Sequence, residues 1–262
     1  MGFAFGMDGI HWHDTCHLEV NGTHFHVIEG LRDLIAVKGS AERMLLGKTR
    51  PMVERYLRAT AGCSVRHVFE LGIFKGGSAA FLHALFQPRK LVAIDFKRRR
   101  SPHLDAYIER QRCQDALVPY YGVDQSDRSR LSEILRREFP AGELDLVVDD
   151  ASHWLEETTV SFDVLFPRLR AGGLYIIEDW SWAHAAQDVW QMPSGLWSDK
   201  SSLAHLVFEI VLACASTPGL VEQVVIDRDM AIVTRGECRV DTQDFAISAS
   251  YATRGRAFPP ML

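Results

Sequence analysis

From residue 64 onward, short apolar runs alternate with amphipathic segments of helical periodicity. The runs VRHVFELG, KLVAID, LVPYYGVDQSD, LDLVVDD and GGLYIIEDW predict strands, and SAAFLHALF, LDAYIERQRCQ, RSRLSEILRREF and LEETTVSFDVLFPRL predict the helices between them. Strands that are joined through helices of this length require right-handed crossovers and form a parallel, doubly wound sheet. We therefore predict an α/β fold with a mostly parallel, Rossmann-like sheet, whose ligands lie at the carboxyl ends of the strands.

The segments on either side of this core have patterns of their own. In LEVNGTHFHV, the pair Asn21-Gly22 separates two alternating runs and predicts a hairpin. Residues 28–59 have helical spacing, with Pro51 placed to start a second helix. VEQVVI-DRD-MAIVTRG predicts a terminal hairpin that adds an antiparallel strand. The expected organisation is an N-terminal hairpin and helical cap over 1–63, a main domain over 64–236 with a substrate loop or lid over 180–202, and a C-terminal tail over 237–262.

Composition limits the class of protein. The chain has 262 residues, of which 47% are hydrophobic and 24% charged, enough for one large α/β domain. A net charge of -5 gives no general attraction for nucleic acid or an anionic membrane, and no apolar stretch approaches the roughly 20 residues of a membrane span. The first residues lack the order of a secretory signal, and the five cysteines form no CxxC pair. We expect a cytoplasmic protein with reduced thiols.

Two predicted strands run directly into adjacent carboxylates. Asp149 and Asp150 follow the apolar run LDLVV, and Glu178 and Asp179 follow LYII. If the strands are parallel neighbours, all four carboxylates meet at one sheet edge with His153, and that negative charge is difficult to hold without a cation. Oxygen ligands suit magnesium. The sequence therefore predicts a Mg²⁺ site beside a basic imidazole.

A glycine-rich turn, FELGIFKGGS, joins the first predicted strand of the core to its helix. Its glycines let the backbone approach a ligand closely, and Glu70 would repel a pyrophosphate but accept hydrogen bonds from an ammonium group. Asp95 is placed to bind ribose hydroxyls, as it would also be in a dinucleotide site. The ligand so implied, with adenosine at one end and an amino acid at the other, is S-adenosylmethionine. The predicted contacts are Glu70, Gly72, Gly76 and Ser78 in the turn, Asp95, and Asp124, Gln125 and Ser126 at an adenine edge.

With these motifs the chain resembles the class I S-adenosylmethionine-dependent methyltransferases. More narrowly, it is similar to the metal-dependent sugar O-methyltransferases of macrolide pathways and the related cephalosporin hydroxylase family. The resemblance covers about residues 65–236 and rests on ELGxxxGGS, AID, DQSD, DDxSH and GGLYIIED. The chain departs from the pattern of these families at Ala151, where those enzymes commonly carry glycine. The resemblance implies that Asp150, Glu178 and Asp179 ligate magnesium, that His153 is the general base, and that Asp149 faces the methionine part of the cofactor.

The chemistry of these residue types leads to the same function. A sugar hydroxyl is a weak nucleophile at neutral pH, and coordination to a hard cation lowers its pKa. His153, three residues beyond Asp150, can take the proton while the oxygen attacks the methyl group. We therefore expect a Mg²⁺-dependent O-methyltransferase that acts on a small hydroxylated molecule, a sugar or a polyhydroxylated natural product. A vicinal diol is the geometry that suits it.

Two other functions stay open. An NAD-dependent oxidoreductase needs a phosphate-tolerant turn, whereas here Glu70 precedes the glycines and GxxxGG replaces GxGxxG. A non-catalytic, S-adenosylmethionine-binding accessory protein is the third class. The complete set of carboxylates and His153 argues against it.

Several local patterns have a structural alternative. Asp149 and Asp150 could cap the following helix, although capping does not explain the second pair of carboxylates. The early histidines in HWHDTCH and THFH could form a zinc site with Cys16, but their spacings match no standard cluster, so surface positions are expected. The run Lys97-Arg98-Arg99-Arg100 is expected to be a solvated loop, with recognition of a phosphorylated substrate as the alternative. Trp180, Trp182, Trp190 and Trp197 could contact an aglycone or pack a dimer interface, so a homo-oligomer stays open.

Overall fold

A computed structural model of the protein describes residues 9–40, 42–140, 143–194, 197–256 and 258. The start of the predicted N-terminal cap (1–8), residues 195–196 of the predicted lid and most of the end of the predicted tail (257 and 259–262) lie outside the described residues. None of the helices in the described part of the chain has the length and apolar character that a membrane crossing requires.

Eleven strands and eight α-helices are present in the described ranges. The strands are β1 (Ile10–Trp12), β2 (His17–Val20), β3 (Thr23–Val27), β4 (Arg43–Leu46), β5 (His67–Leu71), β6 (Lys90–Asp95), β7 (Leu117–Tyr121), β8 (Leu144–Asp149), β9 (Leu169–Glu178), β10 (Val221–Ile226) and β11 (Met230–Arg235). The helices are α1 (Leu31–Ala36), α2 (Arg50–Ala59), α3 (Gly77–Phe86), α4 (Pro102–Gln111), α5 (Arg128–Glu138), α6 (Leu155–Leu165), α7 (Asp188–Gln191) and α8 (Ala204–Ser216).

The seven strands from β5 onward form one sheet in the order β10-β11-β9-β8-β5-β6-β7. Within it, β5 pairs with β8, β8 with β9, and β6 with β7, all in parallel. β11 pairs antiparallel with both β9 and β10. All six residues of β8 are buried, as expected for a strand that is covered on both faces. The predicted α/β fold, a mostly parallel sheet with an antiparallel terminal hairpin, is confirmed.

Three helices begin at side chains that cap their free backbone amides. Thr49 accepts a hydrogen bond from the Met52 amide at the start of α2, where Pro51 occupies the first turn. Ser101 caps α4 through the Leu104 amide, and Asp127 caps α5 through the Arg130 amide. Polar residues with these roles fix the points where the loops after the strands turn into helices.

The N-terminal region differs from the helical section that the sequence predicts for residues 28–59. It contains the strand β4, which pairs in parallel with β3 and completes a four-stranded sheet in the order β1-β2-β3-β4. Met44, Leu45 and Leu46 of β4 are all buried. A short, continuous apolar run of this kind is ambiguous between helix and strand by periodicity alone. The hairpin predicted at Asn21-Gly22 is confirmed as β2 and β3.

The chain divides into two compact units. The first comprises Met1–Arg66 and Ile73–Gly122, and the second comprises His67–Gly72 and Val123–Leu262. In the core of the first unit, the ring of Phe81 packs edge-on against the rings of Phe25 and Tyr56. In the core of the second unit, Phe162 stacks on Phe166 and contacts Tyr175 of β9. The domain boundaries expected at residues 63 and 236 stay predictions.

Candidate functional site

Three of the predicted site residues meet at the carboxyl ends of β8 and β9, within the second unit. His153 Nε2 lies 3.9 Å from Asp150 Oδ1 and 3.9 Å from Asp179 Oδ2. One ligand atom from each side chain lies within 4.8 Å of the other two, a spacing at which the three could hold a metal ion. The side chain of His153 is 20% exposed, that of Asp150 29% and that of Asp179 59%, so the cluster opens to solvent on the Asp179 side.

Glu178 occupies a different environment from its neighbour Asp179. It is the last residue of β9, its Cα pairs with that of Met230 on β11, and its side chain is buried. The three-residue cluster does not include it. Its role as a third metal ligand therefore stays a prediction.

Two residues of the cluster have left-handed backbone conformations. The φ angle of His153 is +58° and that of Asp179 is +52°. Residues other than glycine adopt this region at a cost of about 1–3 kcal/mol, and they persist there only where the surrounding structure holds them. Residues in such conformations concentrate at functional sites, so the two positive φ angles support a functional role for this cluster.

Backbone hydrogen bonds hold the cluster in place. The Asp150 amide donates to the Leu71 carbonyl at the end of β5, with a length of 2.9 Å. The Asp179 amide donates to the Asp229 carbonyl over 2.8 Å. The indole Nε1 of Trp182 donates to the His153 carbonyl, also over 2.8 Å.

The turn of the terminal hairpin, between β10 and β11, supports the segment that follows β9. The Asp229 carbonyl accepts from the Asp179 amide. In addition, the Asp227 carbonyl accepts from the Trp180 indole over 2.7 Å, and the Arg228 carbonyl accepts from the Ser181 hydroxyl over 2.6 Å. The sequence indicates a turn at DRD but not these hydrogen bonds. Their acceptors are backbone carbonyls, which every residue type has, so no residue pattern predicts them.

Asp149 lies inside the second unit, in a buried hydrogen-bond network. Its carboxylate accepts from the Ser161 hydroxyl over 2.9 Å, from the Tyr175 hydroxyl over 3.0 Å, and from the Gln125 amide nitrogen over 3.4 Å. Burial raises the pKa of Asp149 to about 6, against the opposing effect of the Ser161 and Tyr175 hydrogen bonds. Sequence reasoning missed Tyr175 and Ser161. A tyrosine within an otherwise apolar buried strand was the available signal, since its hydroxyl needs a partner.

Gln125 connects this network to the loop that carries the cluster. Its side-chain oxygen accepts a 3.0 Å hydrogen bond from the Ser152 amide, while its amide nitrogen faces Asp149. Asp124 accepts from the backbone and hydroxyl groups of Ser126. These three residues lie in the polar loop between β7, which ends at Tyr121, and α5. Their contact with an adenine edge stays a prediction.

A close approach of the backbone requires glycine at position 72 of the glycine-rich turn. Its φ angle is +99°, and a Cβ atom added to it would lie 2.0 Å from the carbonyl oxygen of Asp150. The sequence suggests that these glycines make room for a ligand, whereas this one makes room for the backbone of the loop that carries the cluster. Glu70, two residues earlier on β5, is completely buried.

The remaining predicted cofactor contacts lie in the first unit. One oxygen of Asp95 accepts from the amides of Ile73 and Phe74, and the other accepts from the Lys97 amide. Asp95 therefore holds the glycine-rich turn, and it keeps one acceptor position of the four that a carboxylate offers. The Ser78 hydroxyl is buried, and no hydrogen-bond partner for it occurs among the described residues.

Two more contacts in the first unit shape the turn. Gly76 has a φ of +86°, and an added Cβ would lie 2.5 Å from that of Leu104, so this glycine permits close packing on α4. Lys75, which has no predicted role, donates from Nζ to the carbonyls of Leu34, Ile35 and Val37 near the end of α1.

The structure bears on the alternatives for helix capping, for the tryptophans and for the basic run. The residue that precedes α6 is Trp154, and the helix has no side-chain cap, so capping of α6 by Asp149 or Asp150 is wrong. Trp182, Trp190 and Trp197 pack on one another, with ring centroids 5.2–6.0 Å apart. Within the basic run, Arg100 is paired with Asp105.

Comparison with known proteins identifies the fold family of this region. Residues 69–180 match a family model described as a methyltransferase domain. This part of the chain is similar to methyltransferase domains. It contains Asp150, His153 and Asp179, so the cluster lies within the matched methyltransferase segment.

The curated relatives of the chain include enzymes named as O-methyltransferases. Demethylmacrocin O-methyltransferase of Streptomyces fradiae is 32% identical over 136 residues, which are 49% of this chain and 31% of that protein. Mycinamicin VI 2''-O-methyltransferase of Micromonospora griseorubida is 29% identical over 136 residues, 49% of this chain and 30% of that protein. The chain thus spans about a third of the length of these relatives. The resemblance to macrolide sugar O-methyltransferases is confirmed.

A solved structure extends the likeness to the fold. The MycE methyltransferase, in complex with Mg, SAH and mycinamycin VI, superimposes with a TM-score of 0.52 and 27% identity, over 71% of this chain and 49% of that one. The matched region exceeds the 69–180 segment, so the methyltransferase fold reaches beyond it.

Proposed function

We propose that this chain is an S-adenosylmethionine-dependent O-methyltransferase that uses Mg²⁺ and methylates a hydroxyl group of a small molecule. The observation that carries the proposal is the position of His153 Nε2, 3.9 Å from a carboxylate oxygen of both Asp150 and Asp179, inside a methyltransferase domain. An imidazole beside two partly exposed carboxylates can both accept a proton and border a cation.

The donor set fits a hard divalent cation. Asp150 and Asp179 offer carboxylate oxygens, which magnesium prefers, and ligands at 2.0–2.1 Å from such an ion lie about 3 Å apart when adjacent. The observed spacing within 4.8 Å is compatible with this after small side-chain rotations. Asp150 and Asp179 would hold the ion, with Glu178 as the further predicted ligand. A bound magnesium ion would supply Lewis acidity toward the acceptor hydroxyl.

His153 supplies the general base. Its Nε2 accepts the proton of the acceptor hydroxyl as that oxygen bonds to the methyl carbon and the carbon–sulfur bond breaks. The products are the methyl ether, S-adenosylhomocysteine and a protonated imidazole, which returns its proton to solvent. The hydrogen bond from Trp182 to the His153 carbonyl orients the residue for this step.

In the second unit, the buried carboxyl group of Glu70 suits the amino group of S-adenosylmethionine, because a carboxylate accepts hydrogen bonds from an ammonium group. In the first unit, Asp95 keeps an acceptor position for a ribose hydroxyl, and the buried hydroxyl of Ser78 is available as a further contact.

The proposed acceptor is a sugar or a polyhydroxylated natural product with two adjacent hydroxyls. Its support is the chemistry of the named relatives, which act on macrolide compounds, and the capacity of one cation to bind a neighbouring hydroxyl as a second anchor. The methyltransferase family match disfavours the NAD-dependent oxidoreductase, and the intact cluster disfavours a non-catalytic accessory role.

A radiolabelled methyl-transfer assay tests the proposal. With labelled S-adenosylmethionine and a panel of glycosides and polyols, label should enter an acceptor, EDTA should abolish transfer, and Mg²⁺ should restore it. His153→Ala should lose most turnover and keep cofactor binding in calorimetry. His67→Ala is the matched control, because His67 lies at the opposite end of β5.

Four results would contradict the proposal in different ways. Turnover that survives thorough chelation removes the metal, and wild-type turnover in His153→Ala removes the base. Binding of NAD without binding of S-adenosylmethionine supports the oxidoreductase. Cofactor binding with no transfer to any acceptor of the panel supports the accessory protein.

A further inference from the structure

The four-stranded sheet of the first unit has one face rich in imidazoles. Leu18, Val20 and Phe25 are buried on its inner face. The residues that alternate with them, His17 and Glu19 on β2 and His24 and His26 on β3, project to the other face. Register places His17 opposite His26 and Glu19 opposite His24, with His11 of β1 opposite Glu19 on the other side.

Three side chains of this face converge. His13 Nε2 lies 2.9 Å from Glu19 Oε2, and His24 Nδ1 lies 4.0 Å from the same oxygen. The ring centroids of His13 and His24 are 6.0 Å apart. One ligand atom from each of the three residues lies within 4.8 Å of the other two.

This geometry is close to that of a tetrahedral metal site. Zinc binds imidazole nitrogen and carboxylate oxygen at 2.0–2.2 Å, which places tetrahedral ligand atoms about 3.4 Å from one another. The distances of 2.9 and 4.0 Å bracket that value, so rotations of exposed side chains would reach it. Two imidazoles and one carboxylate form a zinc donor set in proteins, whereas the cluster at His153 has one imidazole and two carboxylates.

We propose that His13, Glu19 and His24 form a second metal site, separate from the catalytic cluster, which takes one divalent transition-metal ion of the Zn²⁺ class. A cleft of about 750 Å³, lined in part by His13 and His24, leaves room for water on the remaining coordination positions. Lys38, Glu42 and Arg43 also line this cleft. The site is thus open to exchange with solvent.

The carboxylate is in the form that a metal needs. The hydrogen bond from His13, with the nearby His24 and His11, lowers the pKa of Glu19 below its ordinary value.

The composition of the site differs from the zinc site that the sequence leaves open. That alternative joins the early histidines to Cys16, whereas the structure brings Glu19 to His13 and His24, and the cluster does not include Cys16. Glu19 lies two residues from His17 in the sequence, and its contact with His24 arises only from strand register. The spacing of His13, Glu19 and His24 along the chain therefore matches no standard zinc-binding pattern.

Calorimetry with ZnCl₂ tests the inference on the full chain without an added histidine tag, at pH 7.5 and in saturating MgCl₂. Wild type should bind one zinc ion at this site. His24→Ala and Glu19→Gln should each weaken that binding at least about tenfold, since each removes one of three ligands. His26→Ala is the matched control on the same sheet face and should retain it. Circular dichroism should be unchanged for all variants, because the side chains are surface-accessible.

The control variants separate the alternatives. Zinc affinity that is unchanged in His24→Ala and Glu19→Gln overturns the site. Equal weakening of zinc binding in His26→Ala would mean that the ion is attracted to the histidine-rich face as a whole. That result would also overturn the proposed site. Loss of zinc binding in His153→Ala, with retention in His24→Ala, would place the ion at the catalytic cluster instead.

Discussion

The indole nitrogen of Trp182 donates a 2.8 Å hydrogen bond to the carbonyl oxygen of His153. His153 has a positive φ, so a non-glycine residue is held in a strained conformation by a side chain from the segment predicted as a lid. Trp182 is itself buried and packs on Trp197. The aromatic cluster of this segment therefore acts on the geometry of the proposed base.

Replacement of Trp182 by phenylalanine should lower methyl transfer with little effect on cofactor affinity. The variant keeps a ring in the cluster but loses a hydrogen bond worth about 1 kcal/mol, which corresponds to a roughly fivefold to tenfold fall in kcat. Steady-state kinetics and calorimetry with S-adenosylmethionine measure the two effects. Trp190→Phe alters the same cluster and leaves the bond to His153 in place, so it serves as the control. An equal loss in both variants would mean that packing, not this bond, sets the activity.

Gly72→Ala should disturb the loop that carries Asp150. The added methyl group would lie 2.0 Å from the Asp150 carbonyl, so either β5 or the loop must shift. We expect a loss of several kcal/mol in the free energy of unfolding, together with weaker Mg²⁺ activation. Chemical denaturation and the Mg²⁺ dependence of turnover are the measurements.

Gly62→Ala separates the clash from the backbone strain. Gly62 also has a positive φ, +72°, but an added Cβ meets nothing within 4 Å. It should cost only the left-handed strain of about 1–2 kcal/mol and leave Mg²⁺ activation unchanged. Similar losses in the two variants would show that contact with Asp150 is unimportant.

The pH dependence of stability should report on Asp149. Its pKa is about 6 in the folded protein, above the ordinary value of about 3.9, so the folded state holds an extra proton between those values. The stability that this proton provides is fully present below about pH 4 and is lost as pH rises through about 6. Asp149→Asn stays neutral and should not show this loss.

The unfolding free energy of Asp149→Asn relative to wild type should therefore increase between about pH 4.5 and 7, by up to about 3 kcal/mol, and then level off. Urea denaturation across this range measures the difference. Asp199→Asn, at an exposed aspartate, should show a flat difference. A flat difference for Asp149→Asn as well would contradict the raised pKa.

Gln125→Ala distinguishes two roles for one residue. If Gln125 acts through its bond to the Ser152 amide, the variant should weaken Mg²⁺ activation several-fold and leave the Kd for S-adenosylmethionine nearly unchanged. If it holds the adenine edge, as the sequence suggests, the Kd should rise instead. Calorimetry with the cofactor and a Mg²⁺ titration of turnover decide between these outcomes.

Elements with strong local signals were predictable from the sequence. The run KLVAID predicts β6 at the bounds that the structure shows, Lys90–Asp95, because a buried parallel strand is a continuous apolar run that ends at a polar residue. The strand β4 was not predictable. Its apolar residues also fit the helical spacing of the residues around them, and only the pairing with β3 decides the matter.

The site could be predicted in part. The positions of Asp150, His153 and Asp179 follow from strand ends that meet at one sheet edge. The burial of Asp149 and Glu178 could not be predicted, because adjacent residues at a strand end point to opposite sides and the sequence does not say which side is open. The support from Asp229 and from Trp182 is likewise hidden, since both contacts involve backbone groups.

Crystals grown with Mn²⁺ in place of Mg²⁺, together with S-adenosylhomocysteine, give the most direct test of the central claim that Asp150 and Asp179 hold a divalent cation beside the base. Anomalous diffraction locates manganese unambiguously. We expect one strong peak within about 2.3 Å of carboxylate oxygens of Asp150 and Asp179, with the sulfur of S-adenosylhomocysteine close to His153. A peak away from these two carboxylates, or none at saturating Mn²⁺ with the cofactor product bound, would contradict it.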